Sequence, residues 1–123
     1  MDERPYKYKH LIATFTNCSA DLLDEKGFVE TSVKAIERAN MKLAVTSGEN
    51  PMHYKISDDA MGGGVSVNAL ITTSHLTIHS AKKHRLVEFD CATCGRESDP
   101  KKALEVFKQF LKTDTVKIHF KNF

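Results

Sequence analysis

Thr72-Thr73-Ser74-His75-Leu76-Thr77-Ile78-His79, answered further on by Asp90-Cys91-Ala92-Thr93-Cys94-Gly95, is the stretch whose reading decides the rest of the chain. Leu76, Thr77 and Ile78 are apolar or β-branched and suit a pleated, half-buried surface, which predicts a strand through them. Hydroxyls, imidazoles and thiols are concentrated in these few residues. A strand with a serine at its head and a histidine five residues on is an unusual thing to bury for packing alone, so this stretch is the candidate site.

The flanks read as its support. Upstream, Val65 to Ile71 forms a strand running straight into it. Downstream, Leu86 to Cys91 alternates, with Val87, Phe89 and Cys91 on one parity and Leu86, Glu88 and Asp90 on the other. Lys82-Lys83-His84-Arg85 between them is a solvated basic turn. Gly62-Gly63-Gly64 lacks a following Lys-Ser/Thr or helical pattern, which makes it a flexible turn and not a phosphate loop. Met52 to Ile56 is a further short strand, entered from the turn cluster Ser47–Pro51 and ending in Ser57-Asp58-Asp59.

Towards the N-terminus, Lys9 to Phe15 reads as a first strand, followed by the turn Thr16-Asn17-Cys18-Ser19. From about Asp24 to Ala39 the period changes. Val29, Val33 and Ile36, with Ala39 or Met41, recur at helical spacing between charged residues, predicting an amphipathic helix with one face on a sheet. Lys42 to Thr46 is expected as a short second strand. Near the C-terminus, Asp99 caps a second helix with Pro100 at its first position, and Ala103, Leu104, Phe107, Phe110 and Leu111 form its apolar stripe. Thr115 to Phe120 closes the chain as an alternating strand.

The order is β-α-β-β-β-β-β-α-β, give or take one short strand. Two helices cannot cover both faces of such a sheet. The expected fold is therefore α+β, a two-layer sandwich with a mostly antiparallel sheet and both helices on one face. The open face then wants a partner, and a homodimer packed sheet to sheet is the economical answer.

Bulk properties narrow the function. At 123 residues, 41% hydrophobic and 28% charged, the chain suits one ordinary globular domain over 1–123. No apolar run is long enough to cross a bilayer, and Met1-Asp2-Glu3-Arg4-Pro5 has no signal-peptide core, so a cytoplasmic location without membrane attachment is expected. Three cysteines imply no disulfide framework and fit a reducing compartment. A net charge of +2 gives no argument for nucleic acid.

Three readings compete for the central residues. His75, His79, Cys91 and Cys94 resemble a zinc set superficially, but histidines four apart on a strand lie roughly 13 Å apart, too far to share one ion. A packing role suits Cys91, which is on the apolar parity, and Cys18, which sits in a turn with no base in view. It suits Ser74, His79 and Cys94 less well. Gly95 directly after Cys94 marks a tight turn that can present a thiol to a cleft.

The catalytic reading comes with a resemblance. Gly64-Val65-Ser66, the Ser74–His79 string and Thr93-Cys94-Gly95 resemble, ungapped from Gly64 to Gly95, the prokaryotic S-adenosylmethionine decarboxylase proenzymes; Lys9–Ile12 and Asp99-Pro100 match that family's first strand and last helix start. The resemblance implies a chain that cuts itself between Thr73 and Ser74, leaving a β chain 1–73 and an α chain 74–123 headed by a pyruvoyl group made from the serine. It further implies Ser66 and His79 as helpers, with His79 the base for the elimination step. The pyruvoyl carbonyl would form a Schiff base with a small amine or amino-acid substrate and serve as the electron sink for decarboxylation, with Cys94 reprotonating the product carbon.

Two departures bear on substrate. Thr73 stands where the family usually carries glutamate or lysine. After the second histidine the family continues threonine-tryptophan-proline-glutamate, whereas this chain has Ser80-Ala81-Lys82-Lys83. Ala81 and Lys83 thus occupy the positions of the substrate-binding aromatic and carboxylate, and a cation for an acid is not a conservative exchange. S-adenosylmethionine ranks first as substrate on the family's commonest activity, within polyamine biosynthesis. Ornithine or arginine by the same chemistry ranks second, and an unprocessed homologue acting as a binding or regulatory subunit third.

Overall fold

A computed structural model of the chain describes residues 8–57, 60 and 62–123. The expectations for Met1–Pro5, and for positions 58, 59 and 61 of the segment before the glycines, lie outside the described residues. The elements are β1 (Lys9–Thr16), α1 (Glu25–Arg38), β2 (Met52–Ile56), β3 (Gly64–Ile71), β4 (Ser74–Ala81), β5 (Leu86–Thr93), α2 (Pro100–Leu111) and β6 (Thr115–Asn122). The strands form one sheet in the order β2-β3-β4-β5-β1-β6, and every neighbouring pair is antiparallel. Both helices lie on one face. This is the two-layer α+β sandwich read from the sequence.

Period-two alternation sends one residue set from each of β1, β3, β4 and β5 into the core beneath the helices. Leu11, Ala13 and Phe15 of β1, Val65, Val67 and Ala69 of β3, Leu76 and Ile78 of β4, and Val87, Phe89 and Cys91 of β5 are all buried there. Phe107 of α2 meets Phe89 edge to face at 5.8 Å, and Phe110 meets Phe28 of α1 at 5.1 Å. Asp24 caps α1 through Gly27 N, and Asp99 caps α2 through Lys101 N, ahead of Pro100. The buried side of α1 is centred on Phe28, Ser32, Ala35 and Ile36, with Val29 only partly buried against the core, a rotation from the expected Val29–Val33 stripe. Small residues let α1 approach the sheet and α2 closely, and Ser32 avoids a desolvation cost by donating its hydroxyl to Phe28 O at 2.8 Å.

One expected strand does not form. Lys42 to Thr46 makes a single bridge, Leu43 to Ile71, because the outer edge of β3 is already engaged. Asn50 mimics a strand there: its side-chain carbonyl accepts from Leu70 N at 2.9 Å and its amide donates to Leu70 O at 2.8 Å. The rest of that edge belongs to β2.

Among the described residues, the opposite sheet face carries no helix. It presents His10 and Ile12, Ser66, Asn68 and Leu70, His75, Thr77 and His79, and Asp90 from the four central strands, with Met52, Tyr54 and Ile56 at the edge. Several of these are large apolar side chains left open to solvent, Met52 at 67% and Leu70 at 50% exposure. Among the described residues, no helix is long and apolar enough to cross a membrane.

Candidate functional site

β3 and β4 are joined by a two-residue turn, Thr72-Thr73, with Ile71 paired to Ser74. Such turns favour residues that accept a left-handed backbone, and threonine does not. The unusual conformation falls instead on Ser74, whose φ is 156°. Ser74 is half-buried at the head of β4, as its place in the sequence implied.

The peptide before Ser74 is held tightly. Thr73 O accepts from Cys94 N at 3.0 Å and from the Cys94 thiol at 3.1 Å. Ser74 pairs with Thr93, so β5 delivers Cys94 beside the turn as it leaves the sheet. The Thr73 hydroxyl joins a hydroxyl chain, 2.7 Å to Thr93 Oγ1 and onward 2.9 Å to Ser98 Oγ. Threonine at 73 is therefore built into this site and does not merely fill it. Gly95 lets the chain turn here, since a Cβ would stand 3.0 Å from Ser98 Oγ and 3.3 Å from the Thr73 methyl. Lys9 closes the loop from below, its ammonium donating to Ser98 O at 2.5 Å and Arg96 O at 3.1 Å.

Ser66 and His79 form a second group. They are register partners on the open face, with Ser66 Oγ 2.5 Å from His79 Nδ1. Five residues of strand separate His79 from Ser74, about 16 Å at ~3.3 Å per residue. The structure thus brings Thr73, Ser74 and Cys94 together, and Ser66 with His79, but leaves the two groups apart within one chain. Ala81 and Lys83 lie farther still, Ala81 buried at the end of β4 and Lys83 exposed in the short 3-10 turn that follows.

A third cluster sits on the open face beside Ser74. Ser74 Oγ lies 3.3 Å from His75 Nδ1, His75 Nε2 lies 3.5 Å from Asp90 Oδ1, and that same oxygen is 2.7 Å from His10 Nε2. Sequence reasoning weighed His75 as a metal candidate and did not single out Asp90 or His10. The parity of Asp90, opposite to Phe89 and Cys91, was a usable signal. The partnership with His10, eighty positions away, was not. The other two cysteines are packing residues as expected: burial raises the Cys18 thiol and pushes Cys91 up to about 12.

A family model described as S-adenosylmethionine decarboxylase matches residues 9–122. An arginine decarboxylase proenzyme from Ignicoccus hospitalis is 37% identical over 101 residues, covering 82% of this chain and 65% of that protein, so this chain spans just under two thirds of that relative. An S-adenosylmethionine decarboxylase proenzyme from Thermosipho melanesiensis is 32% identical over 110 residues, covering 89% of this chain and 78% of that protein. The crystal structure of the adenosylmethionine decarboxylase from Aquifex aeolicus shares the fold, with a TM-score of 0.74 at 20% identity over 96% of this chain and 91% of that one. The chain belongs to the S-adenosylmethionine decarboxylase family, whose curated relatives are decarboxylase proenzymes.

Proposed function

We propose that this protein is a self-processing, pyruvoyl-dependent decarboxylase that cuts its chain between Thr73 and Ser74. The observation that carries the reading is the pair of donors on Thr73 O, the N–H and the thiol of Cys94, 3.0 and 3.1 Å away. When Ser74 Oγ adds to the Thr73 carbonyl carbon, negative charge builds on that oxygen. Two donors already in place stabilise it without reorganisation. Collapse with loss of the C–N bond gives an ester; elimination of the Ser74 Cα proton and the ester oxygen then releases the 1–73 chain as a carboxylate and leaves dehydroalanine, which water converts to the pyruvoyl group with loss of ammonia.

The residues fit the group that would result. It would stand at the half-buried head of β4, beside the Cys94 thiol and opening towards the helix-free face. A pyruvoyl group supplies an electron sink for loss of carbon dioxide from a bound amine. Cys94, partly exposed at the same place, holds the proton for the product carbon.

Ser66 and His79 cannot serve Ser74 from within the same chain. A second copy packed on the open face can bring them. A two-fold axis lying between the sheets and crossing β4 near Thr77 lays the Ser74 end of one copy over His79 of the other, with sheets about 10 Å apart. The solvent-open Ile12, Met52, Tyr54 and Leu70 give that face the apolar area a homodimer buries. Lys83, exposed just beyond β4, would likewise act across the interface.

The substrate is a small amine or amino acid, S-adenosylmethionine by family and arginine as the second reading, favoured by the similarity to the Ignicoccus protein. We place the protein in the cytoplasm, where the three free thiols stay reduced. Mass analysis of purified protein together with carbon dioxide release from labelled S-adenosylmethionine, arginine and ornithine tests the function. Two fragments divided before Ser74 and release from one substrate are expected. An intact chain that releases nothing overturns the reading in favour of a binding or regulatory homologue.

A further inference from the structure

We propose that His75 is the base that takes the Ser74 hydroxyl proton during self-cleavage, and that Asp90, anchored by His10, positions it; this rests on the processing reading above. Neighbouring side chains on a regular strand point to opposite faces. Ser74 and His75 nonetheless approach to 3.3 Å, and Ser74 is the residue with the irregular φ of 156°. The nucleophile is thereby turned towards an imidazole on the open face.

The far side of that imidazole is organised too. A neutral imidazole has one donor and one acceptor nitrogen, and the neighbour of one decides the role of the other. Asp90 Oδ1, 3.5 Å from Nε2, favours a proton on Nε2 and so leaves the Nδ1 lone pair facing Ser74 Oγ. Asp90 is fixed in turn by His10 Nε2 at 2.7 Å. The three side chains come from β4, β5 and β1. His75 and His10 both pair with Ala92, whose small side chain lets the rings stand 6.5 Å apart with the carboxylate reaching both. Among the described residues, the titratable groups facing the ring are Asp90 of β5 and His10 of β1, with Lys121 of β6 paired to His10 beyond them. His79, the other imidazole of β4, already has its Nδ1 on Ser66.

The step balances without a co-reactant. The Ser74 Oγ–H proton passes to His75 Nδ1 while Oγ bonds to the Thr73 carbonyl carbon, forming a five-membered ring whose oxyanion lies against Cys94. The ring opens with cleavage of the Thr73–Ser74 C–N bond. The departing amine takes the proton back from His75. The product is an ester isomeric with the starting chain, and His75 ends as it began.

The full chain is synthesised in a cell-free system and the conversion of intact chain to fragments is followed by mass analysis. In His75→Gln the rate of cutting falls by at least about 100-fold, the usual worth of a general base. Asp90→Asn slows cutting by about 10-fold and Asp90→Glu recovers most of it, as expected for a residue that sets a tautomer. Hydroxylamine cuts esters and not amides, so it isolates the step. It cleaves a His79→Ala chain stalled after ester formation but spares the His75→Gln/His79→Ala chain. A His75→Gln chain that cuts at the wild-type rate, or a double variant as sensitive to hydroxylamine as His79→Ala, overturns the role of His75. A wild-type chain that stays intact and hydroxylamine-resistant overturns the processing reading itself, a distinct result.

Discussion

Mixing two inactive chains tests whether the site is shared between copies. Ser74→Ala removes the nucleophile, and His79→Ala removes the imidazole that sits five residues along β4 on the open face. Within one chain that imidazole is about 16 Å of strand away, far beyond the ~3 Å of direct proton transfer. Facing sheets about 10 Å apart, with side chains reaching from both, close the gap between copies. Random pairing of the co-expressed variants puts about half of the His79→Ala chains in mixed dimers, each with one complete site. Mass tags distinguish the chains. About half of the His79→Ala chain should appear as 1–73 and 74–123 fragments, and none of the Ser74→Ala chain. Each variant alone should show no fragments. The shared-site reasoning is refuted if folded His79→Ala chains stay uncut in the mixture, or if they cut fully when expressed alone.

Other outcomes follow from individual contacts. Cys94→Ala should leave measurable self-cleavage, slowed by about 10-fold, because the backbone donor to Thr73 O remains and a thiol is weaker than the donors whose loss costs 10²–10³. Carbon dioxide release by the cleaved Cys94→Ala protein should fall further, and undiminished release would remove Cys94 from proton delivery. Phe107, fully buried against Phe89 and Phe110, should cost about 3–5 kcal/mol when replaced by alanine, read as a shifted denaturant midpoint. His53 bridges Glu25 of α1 and Glu49, each at 2.7 Å, and the Glu25 hydrogen bond raises its pKa. A raised folded-state pKa stabilises fully below the unfolded value near 6.5, and the contribution is lost as pH rises through the higher folded value. Stability should therefore fall across that window by no more than about 1 kcal/mol for so solvated a cluster, read as a slight drop in melting temperature, and His53→Gln should abolish the drop.

Strand parity, helix period and capping are local properties, and they were legible in the chain. Val87, Phe89 and Cys91 went to the buried face as their alternation required, and Asp99-Pro100 began α2 where a cap followed by proline predicts. Lys42–Thr46 misled because its composition suits a strand while Asn50 and β2 already occupied the available edge. The α1 face rotated for the same kind of reason: a helix wedged between a sheet and another helix buries its small residues, which a hydrophobic stripe undervalues. The chemistry divided along the same line. The Ser74–His79 string and the Cys94-Gly95 that answers it carried the resemblance to the family, because the order and spacing of residues along a chain survive folding unchanged.

Distance across the sheet is set by register and by which strands become neighbours, and no local pattern encodes it. Tertiary structure alone placed Cys94 on the Thr73 carbonyl, gathered His10 and Asp90 around His75 from strands eighty residues apart, and set His79 about 16 Å of strand from Ser74 within one chain. Five positions in sequence look close on paper; in an extended strand they are about 16 Å apart.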